Sequence, residues 1–283
     1  MDYIIGLGSN LGSRQASLEA GLELLDATEG CRVTRRSSLY ESEPIGGPPQ
    51  PCYLNAAARV ESTLEPHALL QVLLAIEARL GRERRERFGP RTLDMDMLWA
   101  SRRVSDAQLC VPHPRLCERA FALAPLLEVA QELAPQYGSA LAALGGPPPS
   151  RRAWDPLHVQ VQVCERGLEL DATACDLADA AAAALSALGR HLWSVPCEAS
   201  EVQVVLARGS HGQELADFVA RALSHVSCGF ELRTATLFKL EEGRVEGVLL
   251  GRARARGGAR LSLASASHHA LAGAVRVVVS LVR

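Results

Sequence analysis

The sequence has no C-x-x-C pair, although it carries eight cysteines, at 31, 52, 110, 117, 164, 175, 197 and 228. Their scatter excludes a zinc ribbon or a disulfide framework, and their apolar surroundings read as reduced cysteines of a core. No uninterrupted apolar run reaches the roughly 18 residues of a membrane span. The N-terminus, Met1-Asp2-Tyr3-Ile4-Ile5-Gly6, lacks the basic region and long apolar stretch of a secretory leader. Excess positive charge is missing too. The formal net charge is −2, so no overall field recruits nucleic acid or an anionic membrane. These absences predict a cytoplasmic protein with small ligands, no nucleic-acid or membrane partner, and no protein partner legible in the pattern. At 283 residues and 48% hydrophobic content, the chain is long enough for two domains.

Several chemical signatures are incomplete. Gly6-Leu7-Gly8-Ser9-Asn10-Leu11-Gly12 lacks the Lys-Ser/Thr of a P-loop and the full G-x-G-x-x-G spacing. On its own it reads as a turn. His158-Val-Gln-Val and Glu201-Val-Gln-Val lack both threonines and one histidine of the paired His-x-Thr signature of cyclic phosphodiesterases, which excludes that activity. His268-His269 has no acidic or thiol partner at ligand spacing and reads as a polar turn.

What the sequence does have is concentrated in one run, Gly81-Arg82-Glu83-Arg84-Arg85-Glu86-Arg87-Phe88-Gly89-Pro90-Arg91-Thr92-Leu93-Asp94-Met95-Asp96-Met97-Leu98. Its tail, Thr92 to Trp99, is apolar and of strand length. Side chains alternate along a strand, so Asp94 and Asp96 leave one face while Leu93, Met95 and Met97 leave the other. Two like charges side by side repel. Mg²⁺ relieves that repulsion, taking one or two carboxylates and completing its octahedron with water and phosphate oxygens. Five arginines stand within ten residues upstream, and guanidinium forks suit a polyphosphate. A solvated strand edge after a charged loop is the alternative. The clustering, with Gly89-Pro90 fixing the turn, favours a phosphate and metal site.

Around this run the chain reads β-α-β-β-α-β. Residues 2–7 form a strand. Ser13 caps a helix to about residue 28, with Leu18, Gly21, Leu22 and Leu25 on its apolar face. A strand follows over about 31–40, then a loop forced by Gly46, Gly47, Pro48, Pro49 and Pro51, then a strand from Tyr53 to Thr63. Tyr53 and Asn55 share a face of that strand. They suit a flat, hydrogen-bonding heterocycle, although on local grounds alone an exposed tyrosine and a strand-end asparagine is the better reading. Pro66 opens a helix with Leu69, Leu70, Leu73, Ile76, Glu77 and Leu80, closed by Gly81. In Val111-Pro112-His113-Pro114 the histidine is a phosphate ligand or a turn residue on local grounds, and a helix begins near Cys117. This order predicts an α+β fold with a mostly antiparallel four-stranded sheet.

Taken together, the motifs resemble the hydroxymethyl-dihydropterin pyrophosphokinases of folate biosynthesis. The matching segments are Gly8-Ser9-Asn10-Leu11-Gly12, Ser38-Leu39-Tyr40-Glu41-Ser42-Glu43-Pro44-Ile45-Gly46, Gln50-Pro51-Cys52-Tyr53-Leu54-Asn55-Ala56-Ala57 and Ile76-Glu77. The strongest are Arg87-Phe88-Gly89-Pro90-Arg91-Thr92-Leu93-Asp94-Met95-Asp96 and Val111-Pro112-His113-Pro114 with Arg119-Ala120-Phe121. The resemblance covers about residues 1–145 and implies a ferredoxin-like fold. It implies transfer of the terminal diphosphate of ATP to the pterin hydroxymethyl oxygen, releasing AMP. It implies that Asp94 and Asp96 hold two Mg²⁺ ions. Arg82, Arg84, Arg91 and His113 would contact the triphosphate, with Glu77 near the nucleotide. Pterin would sit between Tyr53 and Phe121, Asn55 reading its edge and Ser42, Pro44 and Ile45 closing the pocket. Phe88 stands where many members have Trp, and Ser42 replaces a commoner Thr; neither change removes a charge. A pterin- or nucleotide-binding protein without turnover is the alternative, and intact Asp94, Asp96, Arg82 and Arg91 argue against it.

Residues 146–154 read as a Gly-Pro-rich linker, and 155–283 as a second small α+β domain. Strands are expected over Leu157–Cys164, Glu201–Ala207, Phe230–Leu240, Arg244–Arg254 and Ala274–Val282, with helices at Ala174–Leu188 and Gln213–Leu223. No dihydropteroate synthase or aldolase pattern occurs there, and nothing in this half assigns it a chemistry.

Overall fold

The computed structural model describes residues 1–82, 89–144, 149–152, 158–164, 167–174, 177–192, 201–208, 219–222, 230–241, 244–253, 262–271 and 274–282. The chain divides into two compact units, Met1–Trp154 and Asp155–Arg283. Among the described residues no helix is long and apolar enough to cross a membrane.

The first unit runs β1 (Asp2–Ser9), α1 (Arg14–Asp26), β2 (Cys31–Arg36), β3 (Leu39–Ser42), β4 (Tyr53–Ser62), α2 (Pro66–Arg79) and β5 (Asp94–Ala100). A small ribbon of β6 (Val104–Ser105) and β7 (Cys110–Val111) follows, then α3 (Ala120–Val129), α4 (Ala134–Ala143) and β8 (Ser150–Arg152). The sheet order is β5-β1-β4-β3-β8, with β2 also on β4, and every pairing is antiparallel. β5-β1-β4-β2/β3 is the 4-1-3-2 order of a ferredoxin-like fold, as expected.

The single strand expected over 31–40 is broken in two. At the break Ser37 keeps the ladder intact through two bonds to Ala57: its N–H donates to Ala57 O at 2.8 Å, and its Oγ accepts from Ala57 N–H at 2.9 Å. Helix α2 begins at Pro66 and ends before Gly81, whose φ of 78° is the left-handed turn that glycine permits. The helix expected from Cys117 starts at Ala120, because Leu116–Glu118 is a 3-10 turn. Within the stretch expected as a linker, Ser150–Arg152 pairs with β3.

Both sheet faces are covered. Leu18, Leu25, Leu69, Leu73 and Ile76 are buried on the inner sides of α1 and α2. On the other face Ile4, Ala57 and Leu98 join Leu123, Leu126 and Val129 of α3 in one core. The cysteines depart from expectation. Cys52, Cys110 and Cys117 are exposed and Cys31 is half-buried, because each lies at a strand end, loop or turn rather than on an inward position.

The second unit contains β9 (His158–Cys164), β10 (Gly167–Ala174), α5 (Leu177–Leu192), β11 (Glu201–Arg208), β12 (Phe230–Glu241), β13 (Arg244–Ala253), β14 (Ser262–Leu271) and β15 (Ala274–Val282). They form one sheet ordered β14-β15-β10-β9 and another ordered β11-β13-β12. His268 and His269 lie inside β14 rather than in a turn, paired with Val277 and Arg276. Of the helix expected at 213–223, residues 219–222 are described and are helical.

Helix α3 is fastened to β3 and β8 by one carboxylate. Glu128 accepts from Ser38 N–H (3.0 Å), Ser38 Oγ (2.9 Å), Tyr40 OH (2.8 Å) and Arg151 Nη2 (2.8 Å). These bonds hold its carboxyl below the ordinary range against the opposing effect of burial, whereas burial, then the bond to Glu128, pushes the Tyr40 phenol up to about 12. Glu128→Ala should cost about 2–3 kcal/mol of unfolding free energy in urea titrations. A carboxyl depressed on folding stabilises above its unfolded pKa, so the deficit should be complete above about pH 4.5 and shrink as pH falls below it. An equal deficit at pH 7 and at about pH 3 would contradict this account.

Candidate functional site

The site grows out of register. β1 is central, and Gly8 pairs with Asn55 on one side and Asp94 on the other. Gly6 likewise stands between Ala57 and Asp96. Asn55, Gly8 and Asp94 therefore form one cross-strand row, with Asp96 on the same face two residues along. The two glycines leave this face bare where any other residue would fill it. A Cβ on Gly8 would stand 3.3 Å from Asn55 Oδ1 and 4.0 Å from Asp94 Cβ, and one on Gly6 would meet Leu98 Cδ1 at 2.9 Å. The hollow is a cavity of about 190 Å³, walled by these strands, the loop after β3 and the start of α3.

Asp94 is already paired. Arg82 Nη1 approaches its Oδ1 at 2.7 Å and Arg91 Nη1 its Oδ2 at 2.5 Å. Arg82 is itself held by Glu77, which is 2% exposed and also accepts from Met95 N–H at 2.7 Å. Burial pushes the Glu77 carboxyl up to about 7, outweighing Met95 N–H and Arg82, which both favour its charged form. Asp96 has no hydrogen bond or ion pair among the described residues. Burial, then the neighbouring Asp94, push it up to about 6. Asp96 and Asp94 thus present hard oxygen donors beside a hollow, which fits a divalent cation whose other ligands come from substrate and water. Among the described residues no cluster of three or more His, Cys, Asp and Glu forms a cage made of protein alone.

His113 stands on the same wall. Its Nδ1 accepts from Arg115 N–H at 3.1 Å, so the neutral ring carries its proton on Nε2. Burial, then Arg119 and Arg115, hold its pKa below the ordinary value and keep the ring neutral. The Arg119 guanidinium lies 5.8 Å from the centre of the Phe121 ring. At the other end, Asn55 Nδ2 donates to Tyr40 O (3.1 Å) and Ser42 Oγ (2.9 Å), leaving Oδ1 on the Gly8 side.

Of the residues singled out in the sequence, Ser42, Ile45, Tyr53, Asn55, Arg91, Asp94, Asp96, His113 and Phe121 line this one cavity. Arg82 reaches it through Asp94. Glu77 lies behind Arg82 rather than on the wall, and Pro44 is not among the lining residues. Arg84 and Phe88 lie outside the described residues. Sequence reading gave no role to Gly6, Gly8, Arg115 or Arg119, all on the wall. Arg119 could have been found from its place two residues before Phe121; the glycines needed the register. Asn10 was also missed. Buried, it accepts from Arg91 N–H at 2.7 Å and donates to Gln50 Oε1 (3.0 Å) and Pro51 O (3.1 Å), tying the Asp94 side to the loop after β3.

Residues 4–131 match the family described as 7,8-dihydro-6-hydroxymethylpterin-pyrophosphokinase. A Methylorubrum extorquens 2-amino-4-hydroxy-6-hydroxymethyldihydropteridine pyrophosphokinase is 48% identical over 130 residues, 46% of this chain and 82% of that one. Its Bacillus subtilis counterpart is 43% identical over 137 residues, 48% of this chain and 82% of that one. A mitochondrial folate synthesis bifunctional protein of Arabidopsis thaliana is 45% identical over 129 residues, 45% of this chain and 23% of that one. The second unit lies beyond the family match.

The Asp96 carboxylate, without a partner among the described residues, makes a stability prediction. Asp96→Asn should raise the unfolding free energy of the metal-free protein by about 1–2 kcal/mol at neutral pH. The carboxyl titrates at about 6 when folded and about 4 when unfolded, so the gain should be complete above about pH 6 and vanish towards about pH 4. Melting curves in EDTA across that range check it; a variant less stable than the parent at neutral pH would refute it.

Proposed function

The chain belongs to the 7,8-dihydro-6-hydroxymethylpterin-pyrophosphokinase family, and from that premise we propose that the cavity holds both substrates, with triphosphate at the Asp94 end and pterin at the Asn55 end. The reaction moves diphosphate from ATP to the hydroxymethyl oxygen of 6-hydroxymethyl-7,8-dihydropterin, a step of folate biosynthesis. The pterin oxygen forms a bond to the β-phosphorus. The bond from that phosphorus to the α,β-bridging oxygen breaks, AMP leaves with the bridging oxygen, and the hydroxyl proton passes to solvent.

The observation that carries the placement is the row Asn55–Gly8–Asp94, which sets a heterocycle-reading amide and a metal-ready carboxylate on either side of a bare strand. Asp94 and Asp96 would hold two Mg²⁺ ions, which when bound would neutralise the phosphates and draw charge from the transferred group. Arg82 and Arg91, which neutralise Asp94 in the free protein, then turn to phosphate oxygens. Arg84 is assigned to the same phosphates on resemblance alone. His113 donates its Nε2–H to a phosphate oxygen, and Glu77 keeps Arg82 in place from behind. Tyr53 and Phe121 supply the aromatic faces for the pterin. Asn55 Oδ1 accepts from a ring N–H or amino group, since both its Nδ2 protons are spent on Tyr40 and Ser42. Ser42, Pro44 and Ile45 close the pocket. Ile45, 60% exposed in the free protein, gains burial on closure. Positioning and charge neutralisation carry the chemistry, so no strong side-chain base is required.

Incubating the protein with ATP, Mg²⁺ and hydroxymethyl-dihydropterin should give AMP and pterin diphosphate in equal amounts, and Asp94→Ala or Asp96→Ala should abolish both. ADP in place of AMP would overturn the assignment. Near-normal rates in either variant would remove the two-metal site.

A division of labour is part of the reading, since every assigned group precedes residue 122. A fragment of residues 1–154 should keep the activity, and one ending at 146, without β8 and Arg151, should melt at a lower temperature. Residues 155–283 alone should release no AMP. A folded but inactive 1–154 fragment would make the second half part of the catalytic unit.

A further inference from the structure

Helix α1 begins with Arg14. A cation there faces the positive end of the helix dipole, and the first turn holds no acidic residue to offset it. The side chain is only 16% exposed, so the charge is not left in water either. It meets the two ends of the loop between β3 and β4. Arg14 Nη1 lies 2.8 Å from Glu41 Oε1 and donates to Cys52 O at 2.9 Å. One nitrogen thus spans the neck of the loop. From Glu41 the chain runs directly to Ser42, and from Cys52 to Tyr53; Ser42 and Tyr53 pair across β3 and β4. Beyond the neck the loop is unlike its stem: Gly46 and Gly47 take φ of 75° and 83°, and Ile45 is turned to solvent. The stem is fastened where the tip is permissive.

We propose that Arg14 is a positioning residue for the pterin: it pins the loop's neck so that Ser42 and Tyr53 hold their places while the tip opens and closes. It is not on the cavity wall and acts through Glu41 and the Cys52 carbonyl. A cation poorly suited to its helix end but well placed between two loop ends is accounted for by this task. The effect falls on the pterin, because the two groups that Arg14 grips, Glu41 and the Cys52 carbonyl, adjoin Ser42 and Tyr53 at the pterin end. The inference rests on the pterin placement proposed above.

In the full-length protein, Arg14→Met should raise KM for hydroxymethyl-dihydropterin about tenfold while leaving kcat and KM for ATP within about twofold. Amide exchange over residues 42–53 should quicken in the free variant. Arg14→Lys, which places a point charge near the same two oxygens, should recover most of the affinity. If Arg14→Met does not fold, Glu41→Gln keeps the helix and the Cys52 bond, and should give a smaller rise in the same KM. Unchanged exchange would overturn the neck itself. Faster exchange with an unchanged pterin KM would also overturn the proposal, and would place the fault in the pterin's location. A parallel rise in both KM values with a lower melting temperature would mark Arg14 as structural support only.

Discussion

Two carboxylates on one face of a buried strand are the constraint to which the first unit answers. Asp94 and Asp96 cannot both ionise cheaply beside each other in a partly dry hollow. Asp94 is satisfied by two guanidiniums, and one of these needs Glu77, whose burial is tolerable only because Met95 N–H and Arg82 both bond it. A chain of charge runs from the core to the cavity wall, and it ends on Asp96, which has no such partner among the described residues. Among the described residues, one defined oxygen pair is therefore left without a hydrogen bond or ion pair. That incompleteness, rather than any single strong interaction, suits the site to a ligand that brings its own cations.

The hollow exists because the neighbouring positions on the same face are spent differently. Ile4, Ala57 and Leu98 pack against α3, whereas Gly6 and Gly8 offer nothing to pack. One strand is thus core at its start and floor of a cavity at its end. The loop that completes the wall is not held by its own length. Its base is held from outside by Asn10 and Arg14, and Gln50 Oε1 accepts from both Asn10 Nδ2 (3.0 Å) and Tyr53 OH (3.2 Å). Fixing a loop at its base leaves conformational freedom at its tip, which is where closure over a ligand needs it.

Much of this was legible in the sequence because it rests on local periodicity. The alternation that puts Asp94 and Asp96 together, the Pro66 start and Gly81 stop of α2, and the apolar face of α1 each follow from residues within a turn or a strand of one another. What escaped depends on partners far away in the chain. The break between β2 and β3 is set by Ser37 meeting Ala57 twenty positions on. Gly6 and Gly8 read as a turn because only their pairing with Asn55 and Asp94 makes them a floor. Ser150–Arg152, inside a proline-rich stretch, becomes a strand because β3 offers a free edge and Glu128 offers Arg151 a carboxylate. In the second unit the difficulty is of another kind. The Ala-rich helix expected at 174–188 lies at Leu177–Leu192, with residues 180–188 all buried, yet nothing on it assigns the unit a task. Alanines let neighbouring strands approach closely but carry no chemistry to read.

In the proposed placement the histidine of the cavity has no need to act as an acid or base. Arg91, Arg115 and Arg119 already line the wall, with Arg82 just behind Asp94. A protonated imidazole would add one more positive charge beside these guanidiniums, and burial, then Arg119 and Arg115, hold the His113 pKa down. Arg115 N–H settles the tautomer from the other side by occupying Nδ1. A neutral ring with one outward N–H gives a directed hydrogen bond at no further cost in repulsion. In the proposed phosphoryl transfer the guanidiniums would supply charge and the imidazole direction.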